Sequence, residues 1–265
     1  MSLAWQNKGI QTTNFYTNFF KRERMVRNYL KKLALVSAMG CAGSMVNAQG
    51  NFGDTWTGFY AGGAGAVGLF NSETTDHWCK VACDGASLGE VGSAFGIAAG
   101  YDMQLGSLVI GVVADYMTGT FETENVVSNG DGDPYASFTE ASWDSIITLR
   151  GRAGVAVDRS LIYVSGGVAH VDVAYRHDFN FGPDADLRGY RPYSGQETGF
   201  AAGVGVEHAF ADNLSISAEY LYVGLPSVNG GAYFSNFDNE EPSEDSTVTF
   251  RSSAHLIRVG ANWRF

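Results

Sequence analysis

From Thr247 to Phe265 the chain reads TVTFRSSAHLIRVGANWRF, an alternation of period two. Counting back from Phe265, Trp263, Ala261, Val259 and Ile257 share one face, and Arg264, Asn262, Gly260 and Arg258 share the other. A long strand with aromatics and aliphatics opposite arginines suits the wall of a closed barrel in lipid, apolar side out and polar side in.

The same alternation recurs in six more segments. The third strand sets Ile110, Val112 and Tyr116 against Asp115; the fourth sets Trp143, Ile147, Leu149, Ala153 and Val155 against Asp144, Arg150 and Arg152. In the fifth, Tyr163, Val171 and Tyr175 oppose His170, Asp172 and Arg176. The sixth turns Phe200, Val204, Val206 and Phe210 outward, with Glu197 and Glu207 inward, and the seventh opposes Leu214, Ile216, Tyr220 and Tyr222 to Ser215, Ser217 and Glu219. The second sends Phe95, Ile97 and Tyr101 out, whereas the first, Trp56 to Phe70, is too rich in glycine and alanine for a facing to be read.

Turn residues divide these strands. Short connections fall at Gln104-Leu105-Gly106, Asp158-Arg159-Ser160 and Ala211-Asp212-Asn213; long polar stretches fall at about 72–90, 121–138, 177–195 and 224–246. Long and short alternate strictly, which predicts an all-β, eight-stranded, antiparallel, up-and-down transmembrane β-barrel with its short turns at one rim. Hydrocarbon offers no partner to an edge N–H or C=O, so such a sheet has to close. With eight strands the interior is just filled by side chains, which predicts no wide pore. The inward set, Asp115, Asp144, Asp172, Glu197, Glu207 and Glu219 against Arg150, Arg152, Arg176, Arg258 and Arg264, predicts a buried network of ion pairs. Trp56, Tyr60, Tyr116, Trp143, Tyr163, Tyr222 and Trp263 fit interfacial aromatic girdles.

Composition adds an export signal and removes several function classes. Basic residues Arg27, Lys31 and Lys32 precede an apolar run, Leu33 to Ala42, and then Val46-Asn47-Ala48. This reads as a signal peptide over 25–48, cleaved between Ala48 and Gln49, and the run is about half the length of a helical span. Residues 1–24 read as an over-extended or disordered start, and 49–265 as the barrel. The chain holds 17 Lys/Arg and 28 Asp/Glu. Seven and one of these fall in 1–48, so the mature chain carries a net charge of about −17, which excludes nucleic acid as a partner.

The candidate chemistry is sparse. Cys79 and Cys83, the pair remaining in an exported chain, are disulfide candidates in the first long connection. Asn129, Asp131, Asp133 and Glu140 approach calcium-loop spacing, but Pro134 stands where the turn needs glycine, so a solvated acidic loop is expected and no metal or other cofactor. Ser253 and His255 share one face of the last strand with no acid identifiable beside them, and no catalytic role is assigned.

Two segments carry a resemblance. Trp56-Thr57-Gly58-Phe59-Tyr60-Ala61-Gly62 and the terminal Arg258-Val259-Gly260-Ala261-Asn262-Trp263-Arg264-Phe265 resemble the small outer-membrane β-barrel family of Gram-negative bacteria, especially its alphaproteobacterial porin-like, OmpA-type surface proteins. The resemblance spans 49–265 and implies location in the cell outer membrane. It implies lipopolysaccharide and membrane lipid as surroundings, with Trp263 and Phe265 read as an insertion signal by the barrel-assembly machinery. A monomeric, structural and surface-presenting protein is the expectation. A barrel whose loops bind haemin or a host ligand, and a narrow porin-like channel, stand as alternatives.

Overall fold

The computed structural model describes residues 55–76, 84–128, 135–181, 188–189, 193–231 and 247–265. The chain divides into two units, residues 1–47 and 48–265, and the described residues belong to the second. The expected signal segment with Ala48 and Gln49, the disulfide candidates Cys79 and Cys83, and the stretch 129–134 lie outside the described residues.

Every regular element among the described residues is a strand: β1 (Gly58–Asp76), β2 (Asp84–Leu105), β3 (Leu108–Ser128), β4 (Tyr135–Val157), β5 (Ser160–Phe181), β6 (Arg188–Gly189), β7 (Tyr193–Ala209), β8 (Leu214–Gly224), β9 (Val228–Gly231) and β10 (Thr247–Arg264). Neighbours pair antiparallel in the order β1-β2-β3-β4-β5-β7-β8-β10, and β1 pairs back onto β10 from Tyr60–Arg264 to Asp76–Val248. The result is a closed eight-stranded barrel. The short strands β6 and β9 extend the ladders of β5 and β10. Two of the short turns use the left-handed region, with Gly106 at φ 68° and Asp158 at φ 52°; glycine and aspartate both tolerate it.

The outer surface fixes the membrane level. Outward positions are apolar from Phe59 to Leu69 on β1, from Leu105 up to Phe95 on β2 and from Phe265 up to Ile257 on β10. Beyond them come Asn71 and Glu73 on β1, Ser93 on β2, and Ser253 and Arg251 on β10. About ten residues per strand, at about 3.3 Å each and a tilt near 40°, make an apolar band roughly 25 Å tall. Phe59, Tyr101, Phe210, Trp263 and Phe265 line its lower edge, with Phe59 and Tyr101 edge to face at 4.8 Å. Phe95, Phe200, Tyr220 and Tyr222 line its upper part, with Phe200 and Tyr222 at 5.5 Å.

The strands do not stop where the band stops. β4 has 23 residues and β5 has 22, more than twice what the band requires. In the stretches about 72–90, 121–138 and 177–195, expected as polar connections, the described residues are strand. An alternation of apolar residues marks strand only where lipid demands it; above the band the backbone ladder continues with polar side chains outside.

That continuation overturns part of the expected facing. On β5 the inward residues are Tyr163, Val171, Val173 and Tyr175, all buried, while Ile162, Val164 and Val168 face lipid and His170, Asp172 and Arg176 lie on the outer face above them. Both assignments on this strand are thus reversed. On β4 a bulge between Trp143 and Ser145, opposite Val173 and Asp172 on β5, shifts the parity by one residue. Below it Ile146, Thr148, Arg150 and Arg152 point in; above it Trp143 and Ala141 do. Trp56, Tyr60, Trp143 and Tyr163, expected in the girdles, are all interior. Of that expected set, Tyr116, Tyr222 and Trp263 are at the outer wall.

Candidate functional site: the barrel lumen

Two ionic clusters lie inside the apolar band, each built from two arginines and two carboxylates. The middle cluster joins Asp115 on β3, Arg150 on β4, Glu219 on β8 and Arg258 on β10. Arg150 reaches Asp115 Oδ2 at 2.8 Å and Glu219 Oε1 at 2.6 Å. Arg258 reaches Glu219 Oε2 at 3.0 Å and Asp115 Oδ1 at 3.5 Å. Neutral hydroxyls complete it. Arg150 Nε donates to Thr148 Oγ1 at 3.0 Å and its Nη1 to Ser165 Oγ at 2.7 Å, while Thr148 and Ser165 donate onward to Asp115 at 2.7 Å and Glu219 at 3.0 Å.

The cluster nearer the short turns joins Asp102 on β2, Arg152 on β4, Glu207 on β7 and Arg264 on β10. Arg152 grips Asp102 with two bonds, Nε to Oδ1 at 2.8 Å and Nη2 to Oδ2 at 2.7 Å, and donates to Glu207 Oε2 at 3.0 Å. Arg264 donates to Asp102 Oδ2 at 3.0 Å and to the Trp56 carbonyl at 2.5 Å. Glu207 also accepts from Ser215 at 2.6 Å and Asn262 at 3.0 Å. The Arg152 guanidinium lies over the rings of Tyr163 at 4.8 Å and Tyr60 at 5.1 Å, and Arg264 over those of Tyr60 at 5.0 Å and Trp56 at 5.4 Å. Planar, permanently charged guanidinium groups suit such a stack, because they pair edge-on with carboxylates and face-on with aromatics.

Each cluster sums to zero charge. The side chains of Asp102, Asp115 and Glu207 are fully buried. Taking such charges out of water costs several kcal/mol per ion, which only close pairing and added hydrogen bonds offset. Among the described residues, the void between the clusters is small, about 40 Å³, bordered by Tyr60, Ala64, Val113, Ser217 and Gly260. It is too tight for a hydrated ion and holds on the order of one or two waters' volume.

Above the clusters the lumen turns apolar. Met117, Ile146, Leu221 and Leu256 are fully buried immediately above Arg150 and Glu219. An aromatic layer follows. Phe70 meets Trp143 edge to face at 5.1 Å, Tyr175 stacks on Phe250 at 5.0 Å, and Tyr193 stacks on Tyr175 at 6.2 Å. Ser252 serves both polar rims of this layer, accepting from Trp143 Nε1 at 3.1 Å and bonding the Tyr175 hydroxyl.

Of the eleven residues expected in the network, Asp115, Arg150, Arg152, Glu207, Glu219, Arg258 and Arg264 make up these clusters. The other four lie elsewhere. Asp144 is half-buried at the bulge, where its carbonyl accepts from Thr118. Asp172 is on the outer face, accepting from Ser145 at 2.5 Å and Gln196 at 2.9 Å. Arg176 is half-buried on that same face, and Glu197 accepts from the Tyr193 hydroxyl well above the clusters.

Asp102 was missed. Tyr101 outward and Asp102 next to it would have placed it, since parity alone puts it inside. Trp263 and Phe265, expected as an insertion signal, are about half exposed on the outer wall, and Phe265 N donates to the Phe59 carbonyl at 2.9 Å. His255 also faces outward, its Nδ1 bonded to the Tyr220 hydroxyl at 2.7 Å.

The chain is similar to known outer-membrane proteins. The chain is 30% identical over 223 residues to the 31 kDa outer-membrane immunogenic protein of Brucella melitensis, covering 80% of this chain and 84% of that one. It is 26% identical over 188 residues to a 22 kDa outer membrane protein of Rhizobium leguminosarum, covering 69% and 73%. Among solved structures it is similar to the outer membrane protein OprG from Pseudomonas aeruginosa, with 12% identity, a TM-score of 0.46, and 79% and 96% of the two chains covered. Residues 33–265 match the family described as Outer membrane protein beta-barrel domain, and the chain belongs to that family of Gram-negative outer-membrane proteins.

Proposed function

We propose that the barrel is a non-conducting, non-catalytic element of the outer membrane that anchors and presents its extracellular face. The observation that carries this reading is the filled lumen: two neutral arginine–carboxylate clusters within the membrane and an aromatic layer above them. A conducting path would have to displace both. The surface role draws further support from the Brucella relative, which is named for being immunogenic. Support for a non-catalytic role comes from His255, whose Nδ1 is engaged by a tyrosine hydroxyl and not by the carboxylate that a serine–histidine pair needs. In this reading the barrel is a monomer among lipopolysaccharide and lipid, inserted by the assembly machinery through Trp263 and Phe265.

Planar-bilayer recording on the purified, heat-modifiable protein tests it. The expected trace has no unitary steps above baseline. Reproducible steps that scale with added protein would replace this reading with the narrow channel.

A further inference from the structure

Above the apolar band the wall is no longer one ladder. β2 pairs with β3 only as far as Ser93–Thr120, where a bulge on β3 between Thr118 and Phe121 breaks the register. The flanking ladders run on, β1–β2 to Thr75–Asp84 and β3–β4 to Ser128–Ala136. Across the barrel, β7 pairs with β8 only as far as Phe200–Gly224, and two residues later comes Pro226, which has no N–H to give a ladder. Above these points the described strands form two sheets, β9-β10-β1-β2 and β3-β4-β5-β7, which meet through the aromatic layer.

The gap between β2 and β3 is lined by groups that lack partners. Glu90 on β2 stands opposite Phe70 in the β1 ladder and shares its inward face. Gly92, the next inward position on β2, lies against Phe121, since a Cβ there would be 2.5 Å from that ring. Glu90 is nevertheless exposed, because the β3 ladder has ended below it. Among the described residues it makes no ion pair or hydrogen bond. On the two strands that flank β2, Ser72, Thr74 and Thr123 also face inward, each 2% exposed, and their hydroxyls have no hydrogen-bond partner among the described residues. Ser72 lies beside Ser252, whose hydroxyl is already engaged by Trp143 and Tyr175. A buried hydroxyl without a partner is costly, so three of them near a free carboxylate mark a place for a ligand with polar hydrogens.

We propose that this gap binds the primary ammonium group of a small soluble amine, ion-paired to Glu90, with its remaining N–H groups accepted by hydroxyls of the Ser72, Thr74 and Thr123 set. An ammonium is a compact charge with three donors, which one carboxylate and neighbouring hydroxyls match. A divalent cation such as calcium takes six or more oxygens, typically with several carboxylates among them. Phe70 and Phe121 beside the gap suit an organic cation. Glu90 faces the interior, so the amine arrives from water and not from a lipid headgroup. The chain's formal net charge of −11 adds long-range attraction for a cation. The site lies above both ionic clusters and is independent of whether the lumen conducts.

Calorimetric titration of the full protein in detergent micelles with putrescine tests the site. Wild type should bind one putrescine per barrel. Glu90→Gln should weaken binding about tenfold or more, as loss of one charge-assisted hydrogen bond implies. Thr123→Val, which keeps the shape and removes an acceptor, should weaken it about threefold. Glu73→Gln removes the same charge from the outer face of β1 and should match wild type. Tetramethylammonium, a cation without an N–H, should bind about tenfold more weakly than putrescine. Ser72→Ala provides the hydroxyl test should Thr123→Val not show heat-modifiable migration. The site would be overturned by the absence of one-to-one binding, or by tetramethylammonium binding as tightly as putrescine. Equal losses in the Glu90 and Glu73 variants would also overturn it, as diffuse attraction to an acidic surface. Unchanged affinity in the hydroxyl variant would remove the hydroxyls from the site, and displacement of putrescine by phosphatidylethanolamine added to the micelle would overturn the soluble source.

Discussion

Below Leu256 the interior holds arginines and carboxylates while the exterior is aliphatic; above it the interior holds Phe70, Trp143, Tyr175 and Phe250 while the exterior carries Glu73 and Arg251. One continuous set of strands therefore changes which side is polar. The cause is the surrounding medium. In hydrocarbon the outer positions have to be apolar, and the interior can be polar only if its charges are paired. Once the wall stands in water, the ordinary hydrophobic effect takes over and the aromatics move inside. The lower region is held by directional ion pairs of fixed stoichiometry, the upper by close packing.

The two regions should fail differently when perturbed. The largest effect is expected from Arg152→Met, which leaves Asp102 and Glu207 with only Arg264 between them. Stranding a buried charge costs about 3–5 kcal/mol, and urea unfolding in micelles should report a loss of that size. Trp143→Ala should cost about 3–5 kcal/mol through the cavity it opens, toward the lower end because water above the band can enter. It should still pass no current in a bilayer, because both ionic clusters remain below it.

Smaller effects come from the outer face. Val204→Arg, on the lipid-facing side of β7, should destabilise by about 2–4 kcal/mol, whereas Ser194→Arg, on the same face of the same strand above the band, should change stability by less than about 0.5 kcal/mol. Equal costs at the two positions would mean that the membrane boundary has been drawn in the wrong place. Asp212→Ala removes a pair whose acid is almost fully exposed, and should shift the unfolding free energy by less than about 1 kcal/mol.

The contrast also explains what could be read from the chain. β10 was legible throughout its lower half because Trp263, Ala261, Val259 and Ile257 all lie at lipid level, where apolar means outward. β5 was read upside down because its clearest signals, Val171 and Tyr175 against His170, Asp172 and Arg176, lie above that level, where apolar means inward. Its lower half held the correct answer, in Ile162, Val164 and Val168 opposite Ser165 and Gly167. Trp143 was misplaced for a second reason: the bulge at Asp144 shifts the parity by one residue, and no residue type in that stretch announces it. Seven members of the ionic clusters were visible as inward charges, but their division into two neutral groups depends on which strands meet across the lumen. That is set by barrel closure, and no local pattern encodes it.

The polarity reversal is most directly tested by fluorescence quenching of single-tryptophan variants in bilayers of lipids brominated along the acyl chain. Trp263 should be strongly quenched, while Trp143, enclosed by Phe70 and Ser252, should keep nearly all of its emission. Quenching of Trp143 to the extent seen for Trp263 would place that ring on the lipid side and contradict an interior that turns from ionic to aromatic at the membrane's edge.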